Sequence, residues 1–254
     1  MNRRFVLKQG LIGAATLGLS GCRILDDRPG AITAMGRANS LTYRVQRLIG
    51  GGHTLAPEYT RADIRQGMRP NGVTNPADDD YRSLASAGFA DYRLTVTGLV
   101  NRPLTLTRAE IESMPAQSQI TRHDCVEGWS CIAKWTGVRL SMVLDRAVPK
   151  PAARYVVFRC FDTIERSLSG SVKYYESIDL TDARHPQTIL AYGLNDRALP
   201  VENGAPLRVR VERQLGYKMA KYIHTIELAD SLAGYGDGNG GYWADRGYDW
   251  YAGI

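Results

Sequence analysis

Alternation of apolar and polar side chains is the clearest pattern along this chain. Together with β-branched and aromatic content, it predicts strands over residues 92–98, 104–106, 119–121, 155–160, 174–177, 188–191, 207–212 and 223–228. In the stretch 207–212 the period places Arg208 and Arg210 on the face opposite the core. Residues 135–137 are expected to separate two elements rather than to lie within one.

Short helices are predicted at three points. Thr107 and Glu110 form a capping-box pattern that opens a helix ending before Pro115. Apolar residues over 138–144 have the spacing of one helix face, and a third helix covers 177–183. Because strands outnumber helices and do not alternate regularly with them, the pattern predicts an α+β domain rather than a doubly wound sheet.

The first 22 residues are predicted to be a targeting signal. Residues 2–8 fit the twin-arginine pattern, and the apolar run over 10–19 is too short to span a bilayer as an ordinary anchor. Cys22 then completes a sequence that resembles a lipobox, with an ordinary cleaved signal as the alternative. Because this export route carries folded proteins, it favours a bound prosthetic group.

The remaining chain divides by composition. Residues 23–70 have scattered Gly, Pro and charge and are expected to form a tether and an irregular lead-in, whereas residues 71–254 are expected to form the functional domain. The formal charge is +6, but the basic residues are dispersed, which weighs against a nucleic-acid partner. The aromatic tail over 234–254 is expected to wrap back onto the core, with a partner-docking surface as the alternative.

A cysteine with charged, polar and aromatic neighbours in the sequence lies near the middle of the chain. Cys125 is surrounded within four residues by His123, Asp124, Glu127 and Trp129, a setting in which a thiolate can be stabilised. Cys125 is therefore a candidate metal ligand. Packing in the core or a disulfide is the alternative.

The cysteine count supports a special role for one thiol. Without Cys22, the chain keeps Cys125, Cys131 and Cys160, an odd number for an oxidising compartment. If Cys131 and Cys160 paired, Cys125 would remain free. A zinc site is weakly supported, because the spacing between Cys125 and Cys131 is too long and no second ligand pair follows.

Two basic segments could bind an anion. Residues 203–208 and 216–221 combine Lys and Arg with glycine, as phosphate recognition requires, although ordinary surface charges near turns would look the same. No Gly-x-Gly-x-x-Gly directly follows a predicted strand and no Gly-x-x-x-x-Gly-Lys-Ser/Thr occurs, so nicotinamide and P-loop nucleotide sites lack their usual support.

Four segments in order carry a family resemblance. Residues 122–130, 185–191, 203–208 and 216–221 resemble the molybdopterin-binding domain of the sulfite oxidase family, in particular its exported bacterial members, which include sulfoxide reductases. The resemblance runs from about residue 71 to residue 254. It implies a mixed-sheet, sulfite-oxidase-type α+β fold and a molybdenum ion held by a pterin dithiolene, oxo groups and one cysteine.

The resemblance also implies roles for individual residues. Cys125 stands at the position of the molybdenum ligand, where a soft thiolate suits a sulfur-bound metal. The cofactor-contacting positions correspond to Asn71, Cys160, Asn203, Arg208, Met219, Ala220 and Lys221. Cys160 replaces a threonine of the reductases. Residues 126–129 replace the Ala-Gly-Asn-Arg run of animal and plant sulfite oxidases, which weighs against sulfite.

The sequence thus predicts a molybdenum-dependent oxidoreductase, periplasmic and lipid-anchored through Cys22. It would carry out two-electron, oxygen-atom-transfer chemistry on a small substrate such as a sulfoxide, N-oxide or sulfite. Because no haem motif is present, we expect a separate electron-transfer partner, such as a membrane cytochrome. The alternatives are a non-catalytic molybdopterin-binding or membrane-surface module and a cofactor-free, disulfide-stapled scaffold.

Overall fold

A computed structural model describes residues 41–48, 54–65, 67–167 and 170–254. The chain divides into two compact units, Met1–Ile49 and Gly50–Ile254. In the first unit, residues 41–48 form a helix. The predicted signal over residues 1–22, including Cys22, lies outside the described residues. Across the described ranges, no helix has the length and apolar content needed to cross a membrane.

One mixed sheet of five strands lies in the second unit. Its members are β1 (Arg93–Gly98), β2 (Leu104–Thr107), β5 (Tyr155–Ser167), β6 (Gly170–Asp179) and β10 (Ile223–Ala229). The spatial order is β2-β1-β10-β5-β6, and β1 runs parallel to β10 while the other pairs are antiparallel. A parallel pair inside an otherwise antiparallel sheet makes this the mixed sheet that the sequence predicted.

A second sheet is antiparallel throughout. It contains β3 (Ala116–Asp124), β4 (Ser130–Arg139), β7 (Ile189–Leu194), β8 (Arg197–Ala198) and β9 (Arg208–Arg210), with β9 paired to β7. The hairpin of β3 and β4 pairs without a register shift from Ala116 to Asp124. The turn at the end of this long hairpin, residues 125–129, therefore has a fixed position.

The helices are short and connect the strands. They are α1 (Asp79–Ser86), α2 (Arg108–Glu112), α3 (Leu140–Ala147) and α4 (Leu180–Ala183), with 3-10 turns at Arg61–Asp63, Val201–Asn203, Gly216–Lys218 and Ala244–Arg246. The capping box of Thr107 and Glu110 is present at the start of α2, which confirms that prediction.

Two local predictions are wrong. Residues 135–137 do not separate elements but lie inside β4, where the side chain of Trp135 is fully buried. Arg208 and Arg210 are not on an open face, because both guanidinium groups are buried and lie over the Trp135 ring, with distances of 5.0 and 4.4 Å from Cζ to the ring centroid. The alternation of apolar and charged residues gave the wrong prediction because both faces of β9 are buried.

Buried side chains from both sheets form one contiguous hydrophobic core. Cys125, Cys131 and Cys160 are all buried free thiols. The pairing of Cys131 with Cys160 is therefore not formed, and the disulfide-stapled scaffold has no support in this part of the chain.

The C-terminal tail returns to the body of the second unit, as the sequence predicted. The Leu215 amide donates to the Ala252 carbonyl at 2.9 Å, and the Trp250 indole donates to the Ser177 hydroxyl at 2.8 Å. Tyr242 is buried. These contacts fix the tail segment that later borders the site.

Candidate active site

A cleft of about 610 Å³, open solvent included, has Cys125 in its wall. We call it the Cys125 cleft. It is lined by Asn71, Gly72, Val73, Cys125, Val126, Glu127, Asp162, Ile164, Tyr174, Gly216, Tyr217, Met219, Lys221 and Trp243. Segments far apart in the sequence meet here because the β3–β4 turn, β5, β6 and the tail converge.

The turn between β3 and β4 holds Cys125 in place. The Cys125 amide donates to the Trp129 carbonyl at 2.9 Å, and the Gly128 amide donates to the Cys125 carbonyl at 3.0 Å. Gly128 has a φ of 84°, in the left-handed region that favours glycine. The Trp129 indole donates to the Glu127 carboxylate at 2.9 Å. The turn thus presents one thiol and one carboxylate at the cleft.

The Cys125 thiol experiences opposing influences. Burial raises its pKa, because the thiolate is desolvated. The Glu127 backbone amide and the Asn71 side chain act in the other direction by hydrogen bonding to the sulfur, and the nearby positive charge of Arg69 also lowers the pKa. A bound soft metal ion would lower the pKa of the Cys125 thiol further, because metal coordination deprotonates a thiol.

Lys221 brings a buried positive charge to the cleft. Its Nζ donates to the backbone carbonyls of Asn71 at 2.6 Å and Val73 at 2.5 Å, and to that of Glu202 at 3.3 Å. Burial lowers the pKa of Lys221 to about 7, with the charge of Arg208 adding to the effect. Among the described residues, no carboxylate forms an ion pair with Lys221.

Arg208 is a second buried cation of the same kind. It donates to the backbone carbonyls of Asn203 at 2.9 Å and Met219 at 3.3 Å, while its Nε has no hydrogen-bond partner in the described structure. Burial lowers its pKa to about 9, and Arg210 contributes repulsion. A Cβ at Gly204 would lie 3.0 Å from Cβ and Cγ of Lys221 and 3.3 Å from Cβ of Arg208, so this glycine packs against the aliphatic parts of both side chains.

His123 stands behind the cleft-lining Gly216. Its Nδ1 lies 2.8 Å from the Arg210 guanidinium and accepts a hydrogen bond from it, and Arg210 in turn makes a two-point ion pair with Glu212 at 2.9 and 2.6 Å. Burial, followed by the charges of Arg210, Arg208 and Lys221, lowers the pKa of His123 well below its usual value. The ring is therefore neutral, and its Nε2–H points towards Gly216 without a partner in the described structure.

Asp162 is a carboxyl group that sequence reasoning missed. It lies on β5, lines the Cys125 cleft, and leaves Oδ1 without a hydrogen bond among the described residues. Burial raises its pKa to about 7, and Lys221 opposes the rise. A lone aspartate in a strand resembles any solvent-facing residue, so only the structure could single it out.

The structure brings only some of the predicted site residues together. Asn71, Cys125, Met219 and Lys221 line the cleft. Asn203, Arg208 and Ala220 are buried behind that wall. Cys160 is buried beside a second cleft lined by Arg159, Cys160, Ser171, Val172, Lys173, Tyr174, Tyr175, His224, Gly234, Tyr235 and Gly236.

The residues present fit the molybdopterin cofactor implied by the resemblance. Two buried cations, Lys221 and Arg208, face backbone carbonyls instead of carboxylates, and buried charge normally requires a counter-ion. A phosphate group would supply it. His123 Nε2–H and Asp162 Oδ1 are a spare donor and a spare acceptor, and Cys125 offers one soft sulfur to a metal ion.

Comparison with known proteins gives the same family. The sequence profile of the oxidoreductase molybdopterin-binding domain matches residues 83–234. The chain is 36% identical over 253 residues to a putative protein-methionine-sulfoxide reductase subunit YedZ1 of Azospira oryzae, covering 99% of this chain and 87% of that protein. It is 30% identical over 233 residues to the protein-methionine-sulfoxide reductase catalytic subunit MsrP of Xanthomonas axonopodis pv. citri, covering 89% and 70%.

Among solved structures, the sulfane dehydrogenase SoxCD from Paracoccus pantotrophus is similar with a TM-score of 0.49 and 22% sequence identity. The similarity covers 56% of this chain and 39% of that chain.

Proposed function

This chain belongs to the family of oxidoreductases with a molybdopterin-binding domain and is a molybdenum-dependent enzyme, and we propose that it reduces sulfoxides, with methionine sulfoxide as the substrate class. The observation that carries the proposal is the free Cys125 thiol in the wall of a cleft that also holds the buried cation Lys221. The names of both relatives support the choice of substrate.

Each group of the site has a place in this proposal. Cys125 is the protein ligand of the molybdenum. Lys221 and Arg208 hold the pterin phosphate, and Met219 and Ala220 shape the segment that surrounds it. Asn203 accepts a hydrogen bond from Arg208 and thereby orients it. Asn71 positions the Cys125 sulfur.

Further contacts extend the proposed site. Asp162 and the Nε2–H of His123 supply the spare acceptor and donor towards the cofactor. Cys160 does not line the cleft. It lies on β5, the same strand as Asp162, two residues earlier in the sequence. Its proposed contribution is to pack beneath the cofactor-binding wall.

The reaction requires two electrons and two protons. The sulfur–oxygen bond of the sulfoxide breaks, the sulfur gains an electron pair and becomes a thioether, and the oxygen leaves as water with both protons. When bound, the molybdenum cofactor supplies the oxygen-accepting and electron-transferring chemistry. The cleft is open to solvent beside Cys125, where Glu127 is exposed, so solvent supplies the two protons.

The electrons come from a separate protein in this proposal. Both relatives are named as subunits, which supports a multi-subunit enzyme with a membrane cytochrome or a comparable redox partner. The twin-arginine pattern supports export to the periplasm, and the lipobox-like sequence supports anchoring through Cys22. In the proposed organisation, the signal covers residues 1–22, the tether covers residues 23–70 and the catalytic domain covers residues 71–254.

The test is to purify the protein from a molybdenum-replete host and to measure metal, pterin and turnover. We expect about one molybdenum and one pterin per chain, together with oxidation of a reduced viologen dye by a methionine-sulfoxide peptide. A folded protein without molybdenum would contradict the cofactor assignment. A molybdenum-loaded protein that reduces no sulfoxide would contradict the substrate assignment and favour a non-catalytic module.

A further inference from the structure

An aromatic group borders the Cys125 cleft and has no part in the cofactor site described above. Trp243 and Tyr217 both line the cleft. Tyr248 joins them, with ring centroids 5.1 Å from Trp243 and 5.4 Å from Tyr217. We call these three residues the aromatic wall. Trp243 and Tyr248 lie beyond residue 234, where the match to the family profile ends, whereas Tyr217 lies within it.

The aromatic wall is held by hydrogen bonds rather than by packing alone. The Tyr217 hydroxyl donates to the Asp249 carbonyl at 2.6 Å, and the Tyr248 amide donates to the Trp243 carbonyl at 3.0 Å. The Tyr174 hydroxyl donates to the Tyr217 carbonyl. A rigid aromatic surface loses little conformational entropy when it contacts a ligand, which makes it suitable for recognition.

Apolar side chains outside the aromatic wall also line the cleft. Val126 and Ile164 line it, and Val126 is 46% exposed. Lys221 is the cation in the lining and is assigned above to the pterin phosphate. A small oxyanion such as sulfite would compete with that phosphate for the one cation and would meet the Glu127 carboxylate, whereas a neutral group with apolar arms would be desolvated favourably.

Resting on the function proposed above, we propose that Trp243, supported by Tyr217 and Tyr248, is the specificity-determining residue of this enzyme. It contacts the aliphatic arm and the sulfur of a methionine-sulfoxide side chain in a peptide. Aromatic rings attract polarizable sulfur and cover apolar surface, and both contacts are lost for substrates without such an arm. The aromatic wall therefore selects neutral sulfoxides that carry a side arm over compact sulfoxides and over sulfite.

The experiment compares two sulfoxides in the molybdenum-loaded enzyme. For Trp243→Ala, we expect KM for a methionine-sulfoxide peptide to rise roughly tenfold with kcat nearly unchanged, while kinetics with dimethyl sulfoxide change less than about twofold. Trp243→Phe should recover most of the peptide KM. A matched control is Tyr235→Ala, which removes an aromatic side chain of the same tail that lines the second cleft and should leave both substrates unaffected.

A binding measurement provides a readout besides turnover. A peptide with methionine sulfone, which resists reduction, should quench tryptophan fluorescence of the loaded wild type and bind several-fold more weakly to Trp243→Ala. Sulfite should not displace it. Equal losses for both sulfoxides, unchanged peptide kinetics in Trp243→Ala, or displacement of the sulfone peptide by sulfite would overturn the role of Trp243 while leaving the proposed function intact. A loaded wild type that reduces neither sulfoxide overturns both.

Discussion

Lys221 donates a hydrogen bond from Nζ to the backbone carbonyl of Asn71 at 2.6 Å, and both residues line the cleft together with Cys125. The first residue of the predicted functional domain thus holds the buried cation of the cleft close to its thiol. Each of these two groups can be removed separately, so the structure makes predictions that distinguish cofactor binding from folding.

Cys125→Ser should abolish turnover while the fold remains. The hydroxyl is a much poorer donor to a soft metal, but it matches the thiol in size at a position only 8% exposed. We expect activity to fall at least about a hundredfold and the melting temperature of the cofactor-free protein to change by only a few degrees. Turnover and circular dichroism measure the two quantities. Cys131→Ser, which alters a buried thiol outside the cleft lining, should keep its activity, and full activity in Cys125→Ser would refute the ligand assignment.

Substitution of two buried lysines three residues apart should change the unfolding free energy by very different amounts. Lys218 forms an ion pair with the fully buried Glu176, so Lys218→Met leaves that carboxylate uncompensated and should cost about 3–5 kcal/mol of unfolding free energy. Lys221 has no such partner among the described residues. In Lys221→Met, loss of the hydrogen bonds is offset by removal of a desolvated charge, and the unfolding free energy should change by less than about 1 kcal/mol.

The same pair separates folding from cofactor binding. Lys221→Met should be purified with little pterin, because the counter-ion of the phosphate is gone, whereas denaturant unfolding of its cofactor-free form should match the wild type. Normal pterin content in this variant would remove Lys221 from the proposed site. A loss of stability as large as that of Lys218→Met would show that Lys221 is chiefly structural.

Asp162 should make the stability of the cofactor-free protein depend on pH. Burial raises the folded-state pKa of this carboxyl from 3.8 to about 7. Between these values the folded state holds a proton that the unfolded state has released, so the contribution of Asp162 to stability is present below about pH 4 and is lost as the pH rises to about 7.

Substitution of Asp162 isolates this contribution. Asp162→Asn cannot ionise, so between pH 4.5 and 7.5 it should lose about 1 to 3 kcal/mol less unfolding free energy than the wild type. Urea unfolding at both pH values measures the difference, and other titrating groups cancel between the two proteins. The lowered pKa of Lys221 acts in the other direction, since it raises stability between about pH 7 and 10.5, a range that overlaps only the upper end of this window. Parallel pH profiles for wild type and variant would exclude a buried, titrating Asp162.

Gly216 should tolerate no side chain. A Cβ at this position would collide with the imidazole of His123, which is fully buried and held by Arg210. Gly216→Ala should therefore cost about 1–3 kcal/mol of unfolding free energy and reduce cofactor content. Gly67→Ala is the control, because a Cβ there meets nothing within 4 Å. Thermal unfolding measures the stability of both variants. Equal stability of Gly216→Ala and Gly67→Ala would show that His123 can move to make room for the added Cβ.

Local sequence patterns predicted the frame of the molecule well. The strand near residue 93, the capped helix α2 and the last strand all follow from side-chain period and capping chemistry, which act over a few residues. The burial of Arg208 and Arg210 could not be predicted in this way. Their alternation is that of a half-exposed strand, and only the packing of Trp135 against both guanidinium groups shows that the second face is covered.

The residues of the candidate site also divide into those that the sequence could predict and those that it could not. Cys125 and Lys221 could be proposed because motifs in order resemble a known family. Asp162 and Trp243 could not, because an aspartate in β5 and a tryptophan in a glycine-rich tail have no local signal that relates them to a cysteine far away in the sequence. Their place in the cleft depends on the pairing of β5 with β10 and on the path of the tail.

The lining of the Cys125 cleft comes from six separate parts of the chain, near residues 71, 125, 162, 174, 217 and 243. A chain in which any one of these parts were out of place would leave the cleft wall incomplete. For the cofactor site proposed here, cofactor content therefore reports on the assembly of the whole second unit and not on any single element.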